Sequence, residues 1–185
     1  SFINFCALST AKGMNVIMVR KAVMEDLRDI MEIIKQAIVE MATYNNTQWD
    51  ESYPHEKDFM NDIQRGDLFV TEQEGKLAGF ICINKVEPAE YNGLNWSLNK
   101  HCIVVHRMAV NSIYRRSGIG TKLMKFADKL ALENNIGYLK TDTYSINMKM
   151  NALFKKCGYE FVGEMSFLER EKPFYCYEKI LNKEK

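Results

Sequence analysis

The chain has 185 residues, which fits one domain at about 100–200 residues each. It is 46% hydrophobic and 26% charged, and Gly and Pro together number only 13 (10 + 3), so collagen-like and long disordered stretches are excluded. Lys+Arg exceed Asp+Glu by 25 − 24, or +1, which gives no whole-domain electrostatic footprint for nucleic acid.

Five cysteines stand at 6, 82, 102, 157 and 176, an odd count with no C-x-x-C pair. A disulfide framework and a structural zinc site are therefore disfavoured, and buried thiols in a reducing, cytoplasmic compartment are expected. No apolar run approaches the roughly 20 residues that span a bilayer, so no membrane partner is expected. Residues 1–17 read as an N-terminal extension or cloning remnant, because the chain starts with Ser and Met14 and Met18 follow; residues 18–185 read as a single domain.

Val16 to Arg20 predicts a first short strand. From Met24 the period becomes helical, with Leu27, Ile30, Met31, Ile34, Ala37, Ile38 and Met41 on one stripe, ending near Asn45-Asn46. A short helix is expected over 55–64 after Pro54, then strands over 67–72 and 76–86 around the Glu74-Gly75 turn. Residues 87–99 read as a long polar connection, and 102–110 (CIVVHRMAV) is the most β-like run. A helix follows from Ile119 to about Asn134, a strand over 138–143, a helix around Met150–Cys157 closed by Gly158, and strands over 159–163 and 174–180. The order β-α-α-β-β-β-α-β-α-β-β predicts an α/β (α+β) fold: a mixed, mostly antiparallel sheet of about seven strands with about four helices on its two faces.

The informative constellation is a strand, then Arg115-Arg116-Ser117-Gly118-Ile119-Gly120-Thr121, then a helix. Glycines allow close backbone approach, and the unpaired N–H groups of a new helix favour an anion. Window 115–125 holds Arg115, Arg116, Lys122 and Lys125 and no acid, a local +4, so a phosphate-bearing ligand fits. The P-loop order fails because Gly120 is followed by Thr121-Lys122, and Leu123 stands where the dinucleotide fingerprint needs a small residue.

Arg115-x-x-Gly118-x-Gly120 resembles the R/Q-x-x-G-x-G/A signature of the GNAT acyltransferase superfamily. Met108-Ala109-Val110 before it and Asp142-Thr143, Asn147, Leu153-Phe154 and Gly158-Tyr159 after it extend the resemblance over residues 16–181. The resemblance implies an N-acetyltransferase that moves an acetyl group from acetyl-CoA to a primary amine of a small molecule or peptide by direct attack in a ternary complex. It implies that Met108 and Val110 pair with the pantetheine, that the Met108 amide is the oxyanion donor, and that amides from Arg116 to Thr121 cradle the pyrophosphate. It also places Asn147 and Phe154 beside the cofactor, and makes the strands at 102–110 and 138–143 splay; by helical spacing alone, Phe154 also belongs to the apolar stripe Met150, Leu153, Phe154 and Cys157 and can pack in the core. Many relatives carry a Tyr acid where Phe154 stands, so Tyr144 and Tyr159 are the remaining donors to consider, and Phe154→Tyr is expected to keep or raise turnover.

By strand alternation His106, Met108 and Val110 share a face, and a His titrating near pH 7 suits a general base. His101 and His106 face opposite sides, and Cys102 lies about 13 Å from His106 along a strand, so no metal site is expected. Acceptor residues are expected from 47–58 and 87–97, where Trp49, Tyr53, Tyr91 and Trp96 stand among acids suited to a cationic amine. The alternative function is a catalytically silent acyl-CoA-binding module or regulator, favoured by Phe154; nucleic-acid binding would need a wider basic face than one loop. A monomer or homodimer is expected.

Overall fold

A computed structural model describes residues 18–181, so the predicted extension, residues 1–17, and the start of the first predicted strand lie outside the described residues. Seven strands and four helices follow in the order β1 (Val19–Lys21), α1 (Leu27–Thr43), α2 (Glu56–Arg65), β2 (Leu68–Gln73), β3 (Lys76–Asn84), β4 (Ile103–Val110), α3 (Ile119–Glu133), β5 (Tyr138–Tyr144), α4 (Met148–Lys156), β6 (Glu160–Met165) and β7 (Phe174–Ile180). They form one sheet in the order β1-β2-β3-β4-β5-β7-β6, as the sequence predicts for a mixed, mostly antiparallel architecture. Only β4 and β5 pair in parallel. Short 3-10 turns at 24–26, 89–93 and 112–114 add to the predicted elements.

Each face has its own core. Leu27, Ile30, Ile33 and Ile34 of α1 and Phe59 of α2 pack on Leu68, Val70, Phe80 and Cys82. Ile119, Leu123, Met124, Ala127 and Leu130 of α3, with Phe154 of α4, cover Phe69, Ile81, Ile83, Val105 and Met108 from the other side. Burying one such side chain stabilises the fold by about 1.5–3 kcal/mol. Gly79 lets α3 approach: a Cβ there would sit 2.9 Å from the Ala109 carbonyl oxygen and 3.1 Å from Ile119 Cγ2. The connection 87–98 folds over the outer face of β4, β5 and β7, with Tyr91, Val104, Tyr138, Tyr144, Phe174 and Cys176 in a third apolar cluster.

Two features of β4 position the site. Its pairing with β3 steps from Ile81↔Met108 to Ile83↔Val105, three residues against two, so a bulge inserts one residue at His106–Arg107. Its pairing with β5 runs through Ile103↔Leu139, Val104↔Lys140 and Val105↔Thr141 and stops there, although both strands continue. The Thr141 hydroxyl donates to the Val105 carbonyl at 2.9 Å and fixes the vertex of the resulting slot.

Candidate active site

Past the vertex, the edge of β4 away from β3 carries backbone groups with no strand beside them among the described residues. The Asn111 N–H donates to the Ala78 carbonyl of β3 at 2.8 Å. Strand N–H groups alternate in direction, so those of Met108 and Val110 point away from β3, into the slot. A cleft of about 900 Å³ opens there, lined by Met108, Ala109 and Val110, by Arg115 and Arg116, and by Asn147 to Met150. The C-terminal half of α1 forms its other wall through Ala37, Glu40, Met41 and Tyr44.

The turn at the head of α3 has the form the glycines require. Arg116 and Gly118 have φ of 62° and 74°, and Gly118 is the N-cap of α3. This left-handed pair turns the chain so that the first N–H groups of α3, free of intrahelical partners, open a nest for an anion. At Ile119 the backbone forms part of this turn while its side chain, 1% exposed, anchors in the core. Asn147 lines the cleft and caps α4, its Oδ1 accepting the Met150 N–H at 3.2 Å.

The model of the acetyltransferase (GNAT) family matches residues 27–159. The chain belongs to that family. It is an acetyltransferase. Over 146 residues it is 22% identical to the uncharacterised N-acetyltransferase YesJ of Bacillus subtilis (strain 168), covering 77% of this chain and 81% of that one. A GNAT-family acetyltransferase from Streptococcus agalactiae 2603 superposes with a TM-score of 0.81 at 23% identity, covering 91% of this chain and 98% of the other. The yncA protein of Salmonella typhimurium, solved with acetyl-CoA, has a TM-score of 0.67 at 14% identity, covering 92% and 96% of the two chains. These two likenesses are of fold.

The family site departs from the sequence reading at three places. Phe154 does not line the cleft: it is 2% exposed and packs on Tyr159 and Tyr177, because the α4 turn sends Leu153 into the cleft and Phe154 into the core. Neither alternative tyrosine faces the cleft. Tyr159 has its hydroxyl buried with no hydrogen-bond partner among the described residues, and the Tyr144 hydroxyl accepts the Lys172 N–H at 3.0 Å. His106 is not among the cleft residues either, because the bulge interrupts the alternation assumed for His106, Met108 and Val110. Its Nε2 lies 2.5 Å from Asn84 Oδ1, which also accepts the Val86 N–H at 2.9 Å, while Asn84 Nδ2 donates to Asp67. This network assigns the hydrogen to Nε2. Burial lowers the His106 pKa to about 4.

The expected acceptor aromatics do not meet in one place. Trp49 is buried and lines the cleft. Tyr53 accepts from Arg107 Nη1 at 2.7 Å, and Arg107 is held by Asp62 at 2.6 Å. Tyr91 and Trp96 stack at 5.0 Å on the outer face of β5. Nearby acids serve local structure: Asp58 accepts the His55 N–H, and Asp50 accepts from Ser52 and pairs with Arg170 at 3.0 Å.

Two residues to which the sequence reading gave no individual role bear on the slot. Gln48 Oε1 accepts from Thr143 Oγ1 at 3.2 Å and Asn147 Nδ2 at 2.9 Å, tying the loop after α1 across the slot. Asp142 is the first β5 residue past the last β4 pair. Its Oδ1 accepts from the Tyr91 hydroxyl at 2.6 Å, and among the described residues Oδ2 has no hydrogen-bond partner. Burial raises its pKa to about 6. Asp142 falls in the resemblance motif, but no local pattern gives either residue its role, since each acquires its neighbours from segments dozens of positions away.

Proposed function

We propose that this acetyltransferase moves the acetyl group of acetyl-CoA to a primary amine of a small molecule or peptide, by direct attack in a ternary complex. The observation that carries this reading is the open edge of β4 beside the glycine turn, which offers inward N–H groups at Met108 and Val110 and an anion nest at the start of α3. An extended amide-bearing ligand can pair with such an edge as an added strand, with its pyrophosphate in the nest. Arg115 to Thr121 grip the pyrophosphate, Ile119 and Gly120 through backbone, and Asn147 contacts the pantetheine.

The Met108 N–H donates to the thioester oxygen as negative charge develops there, and one such donor is worth about 10²–10³ in rate. The amine nitrogen attacks the thioester carbon, the C–S bond breaks, and coenzyme A leaves as a thiolate. A thiol of pKa about 8.5 is a tolerable leaving group without a protein acid, so Phe154 is compatible with turnover. The amine proton goes to Asp142 through solvent, because this carboxylate stands at the vertex of the slot and, like His106, is not among the residues lining the cleft. At neutral pH its carboxylate is the better base, whereas His106 is a weak base whose Nε2 already donates to Asn84.

The test is incubation with acetyl-CoA and a panel of amines, read as free thiol. Amine-dependent thiol release is expected. Coenzyme A binding with no release across the panel would support the silent acyl-CoA-binding module instead, and no binding at millimolar coenzyme A would remove both readings.

A further inference from the structure

The donor cleft contains its own anion. Among its lining residues Glu40 is the sole acid, facing Arg115, Arg116 and Lys149. One Glu40 oxygen pairs with Arg115 at the phosphate-binding turn, and the other accepts from Lys149 Nζ at 2.9 Å at the start of α4. One carboxylate thus joins α1, the turn and α4 across the mouth of the cleft. Lys149 also lies over the Tyr44 ring, 5.4 Å from its centre, which holds its ammonium on this side. A carboxylate held between a guanidinium and an ammonium has the charge and donor set of a bound phosphate group.

We propose that Glu40 stands in for a donor phosphate between Arg115 and Lys149, so that the donor must displace it and Glu40 sets donor affinity. This rests on the acetyl-CoA reading above. The two cations then form a phosphate subsite made of side chains, separate from the N–H nest at the head of α3. Glu40 lowers affinity in two ways. It occupies both cations, and once displaced it remains a like charge beside the ligand. Both ion pairs are partly exposed, with Arg115 46% and Lys149 66% accessible, so each is individually weak and can be exchanged for a more highly charged phosphate. Because Glu40 lies on α1, four residues before Tyr44 and the loop that carries Gln48 and Trp49, its release also frees the wall shared with the slot.

The experiment is calorimetric titration of coenzyme A into the wild-type chain, Glu40→Gln, Lys149→Met and the double variant, with circular dichroism confirming the fold of each. Glu40→Gln is expected to bind about 3- to 10-fold more tightly, as the loss of two weak ion pairs and one repulsion implies. Lys149→Met is expected to weaken binding, and more so in the Glu40→Gln background, where the ammonium is free for the ligand. Repeating the titration with 3′-dephospho-coenzyme A identifies the phosphate. If the gain from Glu40→Gln vanishes, the 3′-phosphate takes Glu40's place; if it persists, the pyrophosphate does. Equal or weaker binding by Glu40→Gln, with the wild-type chain binding normally, overturns this proposal alone. Failure of both chains to bind coenzyme A removes the acetyl-CoA reading and this proposal with it.

Discussion

At the donor end of the slot, the turn, its two glycines and its two arginines lie within positions 115–120, directly after the strand they serve. The residues considered for the acceptor end, Gln48, Tyr53, Tyr91, Arg107, Asp142 and Arg170, come from five separate stretches and are placed only by the sheet and two long connections. A phosphate is recognised by backbone geometry, which a few consecutive residues can encode. An amine acceptor and its proton are recognised by side chains brought together from afar. The donor end can therefore be read from a short string of residues, and the acceptor end cannot.

That contrast can be broken or sharpened by substitution. The largest effect is expected at Asp142. Asp142→Asn keeps an acceptor for the Tyr91 hydroxyl but cannot take the amine proton, so kcat should fall about 10²- to 10³-fold. The rise in rate through pH about 6 should disappear from the pH–rate profile. An unchanged profile and rate would place the base elsewhere. The same carboxyl makes a stability prediction. Its pKa rises from 3.8 to about 6 on folding, so ionisation costs nothing below the lower value and its full penalty applies above the upper one. Asp142→Asn should therefore gain melting temperature over wild type at pH 8 and not at pH 3.5, as paired thermal melts would show.

Gly118→Val tests the donor end. A β-branched residue at φ 74° is strained by about 1–2 kcal/mol, and the nest distorts with it. Coenzyme A affinity should drop about 10-fold in calorimetry, a 1.4 kcal/mol change of the same order as the strain. Undiminished affinity would show that the turn is not the grip.

His106→Ala is expected to leave turnover within about 3-fold of wild type, against the factor of about 10² or more that loss of a working base costs. A larger loss, with the acid limb of the profile removed, would return the role of base to the bulge. Smallest is Phe154→Tyr. The new hydroxyl enters a core beside Tyr159 and Tyr177, so stability should fall by about 1 kcal/mol, or about 2–4 °C in melting temperature, with turnover unchanged.

The sequence by itself determined the order of elements, the two amphipathic faces, the strand CIVVHRMAV and the anion-binding turn after it. These are local signals: a period of 3.6 or 2, a left-handed glycine, a run of cations without an acid. It misplaced His106 because alternation holds along a regular strand, and only the pairing of β4 with β3 reveals the extra residue at the bulge. It placed Phe154 beside the cofactor, but the packing of α4 on β7 and Tyr159 decided which of two adjacent residues, Leu153 or Phe154, meets the cleft. The tertiary structure alone decided that Asp142 would lose water and gain Tyr91 at the vertex, and that Glu40 would reach Arg115 and Lys149, 75 and 109 residues away. Desolvation and long-range charge pairing depend on what the fold brings near, and one position's neighbours in the chain do not contain that information.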